Sequence, residues 1–331
     1  MTPDDFVPAV AVSAFHQSMD CIAGFFAKAT GRPARHFTPS IQRQIFENRA
    51  LASPLFRLFL TNSVNRAHGA PMQAGDWAEL ADVFMDWDAV RFAQRYPLKD
   101  GCPCDGLRAA FAEAAVSRNL IRGNVDYHLE ALRQLGGARN GWVRLLQTAQ
   151  QGSHLLAGRP GSNRVLDDDI AMRALWGFDL AAIPLDCLAV DDLWRATDRL
   201  VAVPGIGRQL ALNFIKDAGY GHAFKPDTHT RKIAGMAFRA EPQEYRATNA
   251  GERACVDAAL AYAQALSAHG SWNGWTMSLA AVDRLMWLAG SGRLWIMGED
   301  APRLKKRGAA ERRRAVAKIL RGALRLGRFD A

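Results

Sequence analysis

Residues 203–209 read VPGIGRQ, and Gly205 and Gly207 give this stretch a way to bind an anion. Glycine lets a backbone turn tightly and approach a ligand with no Cβ in the way. If a helix starts directly after the turn, its free N–H groups make a phosphate site without any charged side chain. Three readings fit these residues. In one, Gly205-x-Gly207 belongs to a dinucleotide-binding fingerprint, with Asp227 as the acid about twenty residues on. In another, the stretch is a hairpin between two helices that grips a sugar–phosphate backbone. In the third, it is only a tight turn between packed helices. The first fails on its context. Leu210 stands where a third glycine belongs, the preceding VDDLWRATDRLVAV is polar and helix-like rather than a buried strand, and Asp227 lies between Pro226 and a helix-like stretch. The other two stay open on these residues alone.

Downstream, residues 224–233 read FKPDTHTRKI, with Asp227 eighteen residues after Gln209. Over VPGIGRQLALNFIKDAGYGHAFKPDTHTRKI the sequence resembles the helix-hairpin-helix base-excision DNA glycosylases, the superfamily of endonuclease III and the adenine glycosylases. Their shared pattern is a [LV]-P-G-[VI]-G hairpin, a second helix, then D-x-H opening a further helix. The likeness is specific over residues 190–235 and extends over 106–298, and residues 1–100 have no counterpart. It implies a mainly α, two-lobed helix-hairpin-helix glycosylase fold. Here that fold would carry an extra helical N-terminal region of unassigned role (1–105), a core (106–298) and a basic C-terminal helix (299–331).

The resemblance implies that Asp227 is the catalytic carboxylate. Breaking an N-glycosidic bond leaves a sugar with oxocarbenium character, which a fixed carboxylate stabilises while helping to activate the attacking water. Asp227 also stands where an N-cap belongs for a helix beginning at Thr228. The two roles are compatible, because a helix N-terminus favours negative charge. Gln209 takes the position of the lysine that, in bifunctional members, forms a Schiff base and cuts the strand. An amide cannot form that imine, and Lys216 and Lys225 lie off the matched position. The expectation is a monofunctional DNA glycosylase without lyase activity. It would flip out a damaged or modified base and hydrolyse its bond to leave an abasic site, in repair or in defence against modified foreign DNA. The partner would be double-stranded DNA, bound by backbone N–H groups around Gly205, Gly207 and Gln209 and by His229, whose other reading is a structural hydrogen-bonder. The resemblance also implies a monovalent cation held by the carbonyls of Val201, Val203 and Ile206, with no other cofactor required. Many members end in a four-cysteine iron–sulfur cluster. Only Cys255 follows Asp227 here, so no such cluster is expected. The alternative function is a non-catalytic helix-hairpin-helix DNA-binding protein, against which the matched spacing of Asp227 weighs.

These residues need helices to hold them, and helical spacing dominates the chain. Val256, Ala259, Leu260, Ala263 and Leu266 recur at helical intervals, as do Leu279, Val282, Leu285, Met286 and Ala289. Pro204 prevents a helix ending near Val201–Val203 from continuing. A second helix should start near Arg208, with Leu210, Ala211, Phe214 and Ile215 on its apolar face, and stop at Gly219–Gly221. Breaks are expected around 95–106 and 157–164, and Asp167, Asp168 and Asp169 read as helix-capping residues rather than a metal site. Of nine tryptophans, Trp176, Trp272, Trp275 and Trp287 could stack on a flipped base, although at helical spacing a tryptophan is more often core.

The 331 residues are 49% hydrophobic, enough for a sizeable core. No apolar run approaches the roughly 18–20 residues of a membrane span, and the acidic start MTPDDFVPAVAV does not read as an export signal. Five scattered cysteines suggest no disulfide framework, so a cytoplasmic, nucleoid-associated monomer is expected, without a membrane partner. The net charge of +9 sits in one place. Residues 301–331 hold eleven Lys and Arg against Glu311 and Asp330, and the rest of the chain has equal numbers of bases and acids. Within that tail Val316, Ile319, Leu320, Ala323 and Leu324 form one apolar stripe, which would dock while the bases face a polyanion.

Overall fold

The computed structural model describes residues 54–64, 78–98, 103–118, 141–157, 183–218, 220–237, 244–268, 271–272, 275–276 and 278–291. Among these residues the protein is mainly helical. In chain order the helices are α1 (Leu55–Val64), α2 (Ala89–Arg95), α3 (Asp105–Ser117), α4 (Gly141–Leu156), α5 (Val190–Val201), α6 (Arg208–Asp217), α7 (Thr228–Ala237), α8 (Asn249–Ala268) and α9 (Leu279–Ser291). Two short antiparallel strands, β1 (Ser271–Trp272) and β2 (Trp275–Thr276), pair Ser271 with Thr276 and Trp272 with Trp275. The basic tail, Asp167–Asp169, Trp176 and the side chains of Trp272 and Trp275 lie outside the described residues.

The chain divides into two compact units. One comprises Met1–Arg49, Ile183–Leu193 and Tyr220–Ala331, and the other Ala50–Ala182 and Trp194–Gly219, so the division falls within α5. In the second unit α4 packs against α1 and α2, and α6 packs against α1. Phe56, Phe84, Phe92 and Phe111 fill the space between them with no exposed surface. Each such side chain contributes about 1.5–3 kcal/mol by leaving water. Phe84 stacks on Trp87 (centroids 5.1 Å apart) and on Phe92 (5.6 Å). Asp88 starts α2 by accepting the N–H groups of Val90 and Arg91. Gln150 of α4 then ties the end of α2 to the start of α3: its amide donates to the carbonyls of Tyr96 and Pro97, and its oxygen accepts the N–H of Cys104. Residues 54–64 and 78–98, part of the N-terminal region read as helical with its role left open, therefore build the same core that carries the hairpin.

In the first unit α7, α8 and α9 pack on one another, the α7–α9 contact being the most extensive. The stripes read from the sequence face inward: Val256, Ala259, Leu260 and Ala263 of α8, and Leu279, Val282 and Met286 of α9, are buried. Gln264 of α8 donates to the carbonyls of Leu185 and Leu188, fastening the segment before α5.

Candidate functional site

The hairpin forms where the glycines and proline place it. α5 ends at Val201, the N–H of Val203 still reaches the Leu200 carbonyl (3.1 Å), and the N–H of Ile206 returns to Val203 (3.1 Å). Gly205 turns the chain with φ +91°, a conformation that suits glycine. It also packs closely: a Cβ there would lie 2.7 Å from Thr148 Oγ1 and 3.3 Å from Arg144 Cγ. The Thr148 hydroxyl donates to the Pro204 carbonyl, so α4 supports the turn from beneath. Gly207 is different. It is the N-cap of α6 with an extended backbone (φ −88°, ψ 167°), it is exposed, and a Cβ there would meet nothing within 4 Å. The hairpin thus has one glycine held against the core and one at an open apex, at the N-terminus of α6.

Two residues at this hairpin carry no motif. Arg208, the first residue of α6, folds its guanidinium back onto α5. It donates to the carbonyl of Trp194 (2.9 Å), the hydroxyl of Thr197 and the carboxylate of Asp198 (3.1 Å), and lies 5.3 Å from the Trp194 ring centroid. Its charge locks the two helices together instead of facing outward. Arg144 is exposed, and its aliphatic stem runs beside Gly205. Only the packing of α4 under the hairpin brings it there. α6 is held along its whole length: Leu210, Ala211, Leu212, Phe214 and Ile215 are buried, as are the polar Asn213, Lys216 and Asp217. Lys216, the nearer of the two displaced lysines, is thus a buried side chain.

Asp227 lies in the other unit, at the first turn of α7. Its Oδ1 accepts the N–H groups of His229 (2.8 Å) and Thr230 (3.0 Å), the arrangement of an N-cap. Its Oδ2 faces the ammonium of Lys225 at 3.9 Å, and both side chains are 15% exposed. One oxygen is committed to the helix and the other is turned away from it. Lys225, set aside in the sequence for lying off the matched position, is therefore beside Asp227. His229 places its ring edge-to-face with Trp287 (6.3 Å, 79°), and its Nδ1 is buried without a hydrogen-bond partner among the described residues. Trp287 also lies under the guanidinium of Arg284 (4.8 Å). Cys255 of α8 is fully buried, and burial pushes its thiol well above its ordinary value, which makes it inert rather than nucleophilic.

Of the residues singled out in the sequence, Val201, Val203, Gly205, Ile206, Gly207 and Gln209 are thus gathered in the second unit, and Asp227 and His229 in the first. Comparison of the chain with protein-family models, with curated proteins and with solved structures returned no match in any of the three. Among the described residues no helix is long and apolar enough to cross a membrane.

Proposed function

We propose that this protein is a DNA glycosylase of helix-hairpin-helix type, which extrudes a damaged or modified base and hydrolyses its N-glycosidic bond. The observation that carries the reading is the state of Asp227: a mostly buried carboxylate at a helix N-terminus, one oxygen fixed by two amides and the other not bound to the helix. A carboxylate held in this way stabilises an oxocarbenium centre without having to reorganise during the reaction. The open apex at Gly207 supports DNA binding through phosphate, with Arg144 as a neighbouring cation. Gln209 at the position matched to the lyase lysine supports hydrolysis that stops at an abasic site. The carbonyls of Val201, Val203 and Ile206 are the groups that would hold a monovalent cation. Val203 O keeps a lone pair after accepting the Ile206 N–H, and a cation there would add positive charge next to a bound phosphate.

The test is base release from a panel of duplexes carrying different lesions and modified bases, with Asp227→Asn run beside the wild type. Release by the wild type that is lost in the variant supports the reading. Binding without release from any substrate would favour a non-catalytic DNA-binding protein.

A further inference from the structure

The segment bearing Asp227 is pinned to α9 at two points. The carbonyl of Gly221 accepts the N–H of Ala280 at 2.8 Å, in the first turn of α9. One turn further along that helix, Asp283 Oδ1 accepts the backbone N–H of Lys225 at 3.1 Å. Lys225 is also held at its other end, where its carbonyl accepts the N–H of Asp227 (2.7 Å) and the hydroxyl of Thr230 (2.7 Å). Pro226 between them is buried, and its ring fixes φ. The Lys225 ammonium completes the loop by facing Asp227 Oδ2. One line of support for Asp227 therefore runs through Lys225 to the Asp283 side chain on α9. Asp283 is only 2% exposed. A buried carboxylate is costly unless donors are held against it, and the Lys225 N–H is one such donor.

We propose that Asp283 is a positioning residue for Asp227. By holding the Lys225 N–H it sets the two-residue turn that aims the Asp227 carboxylate, without itself touching substrate. Its consequence for catalysis rests on the glycosylase reading, whereas its consequence for the geometry of Asp227 does not. Asn at position 283 keeps an acceptor oxygen at the same place, and Ala removes it.

Two measurements test this on the full chain. The first is amide hydrogen exchange at His229 and Thr230, whose N–H groups report whether Asp227 Oδ1 is in place. Asp283→Ala should speed it at least about tenfold, leave the α8 amides unchanged, and be reversed in Asp283→Asn. The second is single-turnover base release at saturating DNA. Asp283→Ala should slow it roughly a hundredfold, the scale of a displacement of about 1 Å, with the DNA Kd within about twofold, and Asp283→Asn should restore it. Wild-type exchange and release in Asp283→Ala would overturn the assignment. So would equal defects in the Ala and Asn variants, which would mean that the charge matters and not the acceptor. If Asp283→Ala does not fold, Asp283→Asn decides alone: wild-type behaviour supports the role, and a loss as large as that expected of Ala overturns it. If the wild type releases no base, the glycosylase reading fails, and the exchange comparison still decides whether Asp283 positions Asp227.

Discussion

Gly205→Ala should destabilise the protein by about 2–3 kcal/mol, from two sources. A side chain at φ +91° pays roughly 1–2 kcal/mol for the left-handed backbone. The new methyl would also stand 2.7 Å from Thr148 Oγ1, and moving that hydroxyl breaks its bond to the Pro204 carbonyl, worth about 1 kcal/mol. For a compact unit of this size the sum corresponds to a fall in melting temperature of roughly 5–10 °C. Gly207→Ala is the control. Its backbone is extended and its surroundings are open, so only the poorer capping of Ala counts, below about 1 kcal/mol. The assay is thermal or urea unfolding of both variants and of Gly205→Ala combined with Thr148→Ala. The second change removes the clashing oxygen, so the pair should be more stable than the sum of the single effects by about 1 kcal/mol. Equal effects of the two glycine substitutions, or strict additivity with Thr148→Ala, would refute the account of the hairpin. Gly207→Ala adds a methyl at the apex of a folded hairpin, so its deficit should appear in DNA binding instead.

Asp227→Asn should leave the melting temperature nearly unchanged, because Asn caps a helix as well as Asp, while Asp227→Ala should cost about 1 kcal/mol; melts of the two beside wild type check this, and base release should be lost in both. Burial raises Cys255 and Tyr262 above their ordinary values of 9.0 and 10.0, so the native state keeps protons that the unfolded chain gives up. Their contribution is complete at neutral pH and is lost as pH rises past about 9, so the melting temperature should fall steadily between about pH 9 and 11; a flat profile would contradict it. Under native conditions iodoacetamide should label exposed Cys187 and spare Cys255 until denaturant is added, as read by peptide mass. Truncation at residue 300 removes eleven bases and should weaken DNA binding and flatten its dependence on salt, measured by titration at several ionic strengths.

What could be read from the sequence was local. Pro204 fixes its own φ and Gly205 takes a positive φ that suits glycine, so the end of α5 and the turn were legible, and the apolar face from Leu210 onward marked α6. The apolar stripes of α8 and α9 were legible because their periods survive in the packed helices. The cap at Asp227 was legible from its place ahead of Thr228. Residues that act through long-range contact were not. Thr148 and Arg144 lie more than fifty positions before the glycine they meet, and Asp283 is fifty-eight residues from Lys225. Nothing in their local sequence marks these pairings, which exist only once α4 lies under the hairpin and α9 behind the turn. Arg208 marked only the start of α6 in the sequence, and that its guanidinium is engaged by Trp194 and Asp198 within the unit appears only in the fold.

The contact between α1 and α6 bears on how this protein can be cut. Asn62 of α1 donates to Asp217 Oδ2 (3.2 Å), Asn213 donates to the same oxygen (2.8 Å), and Phe59 meets Phe214 edge to face at 5.2 Å. A fragment beginning after residue 100 would leave Phe214 facing water and take one donor from a buried carboxylate. The smallest fragment that keeps a firm hairpin therefore starts before Leu55, and partial proteolysis should spare α1 together with α6 and not release them separately.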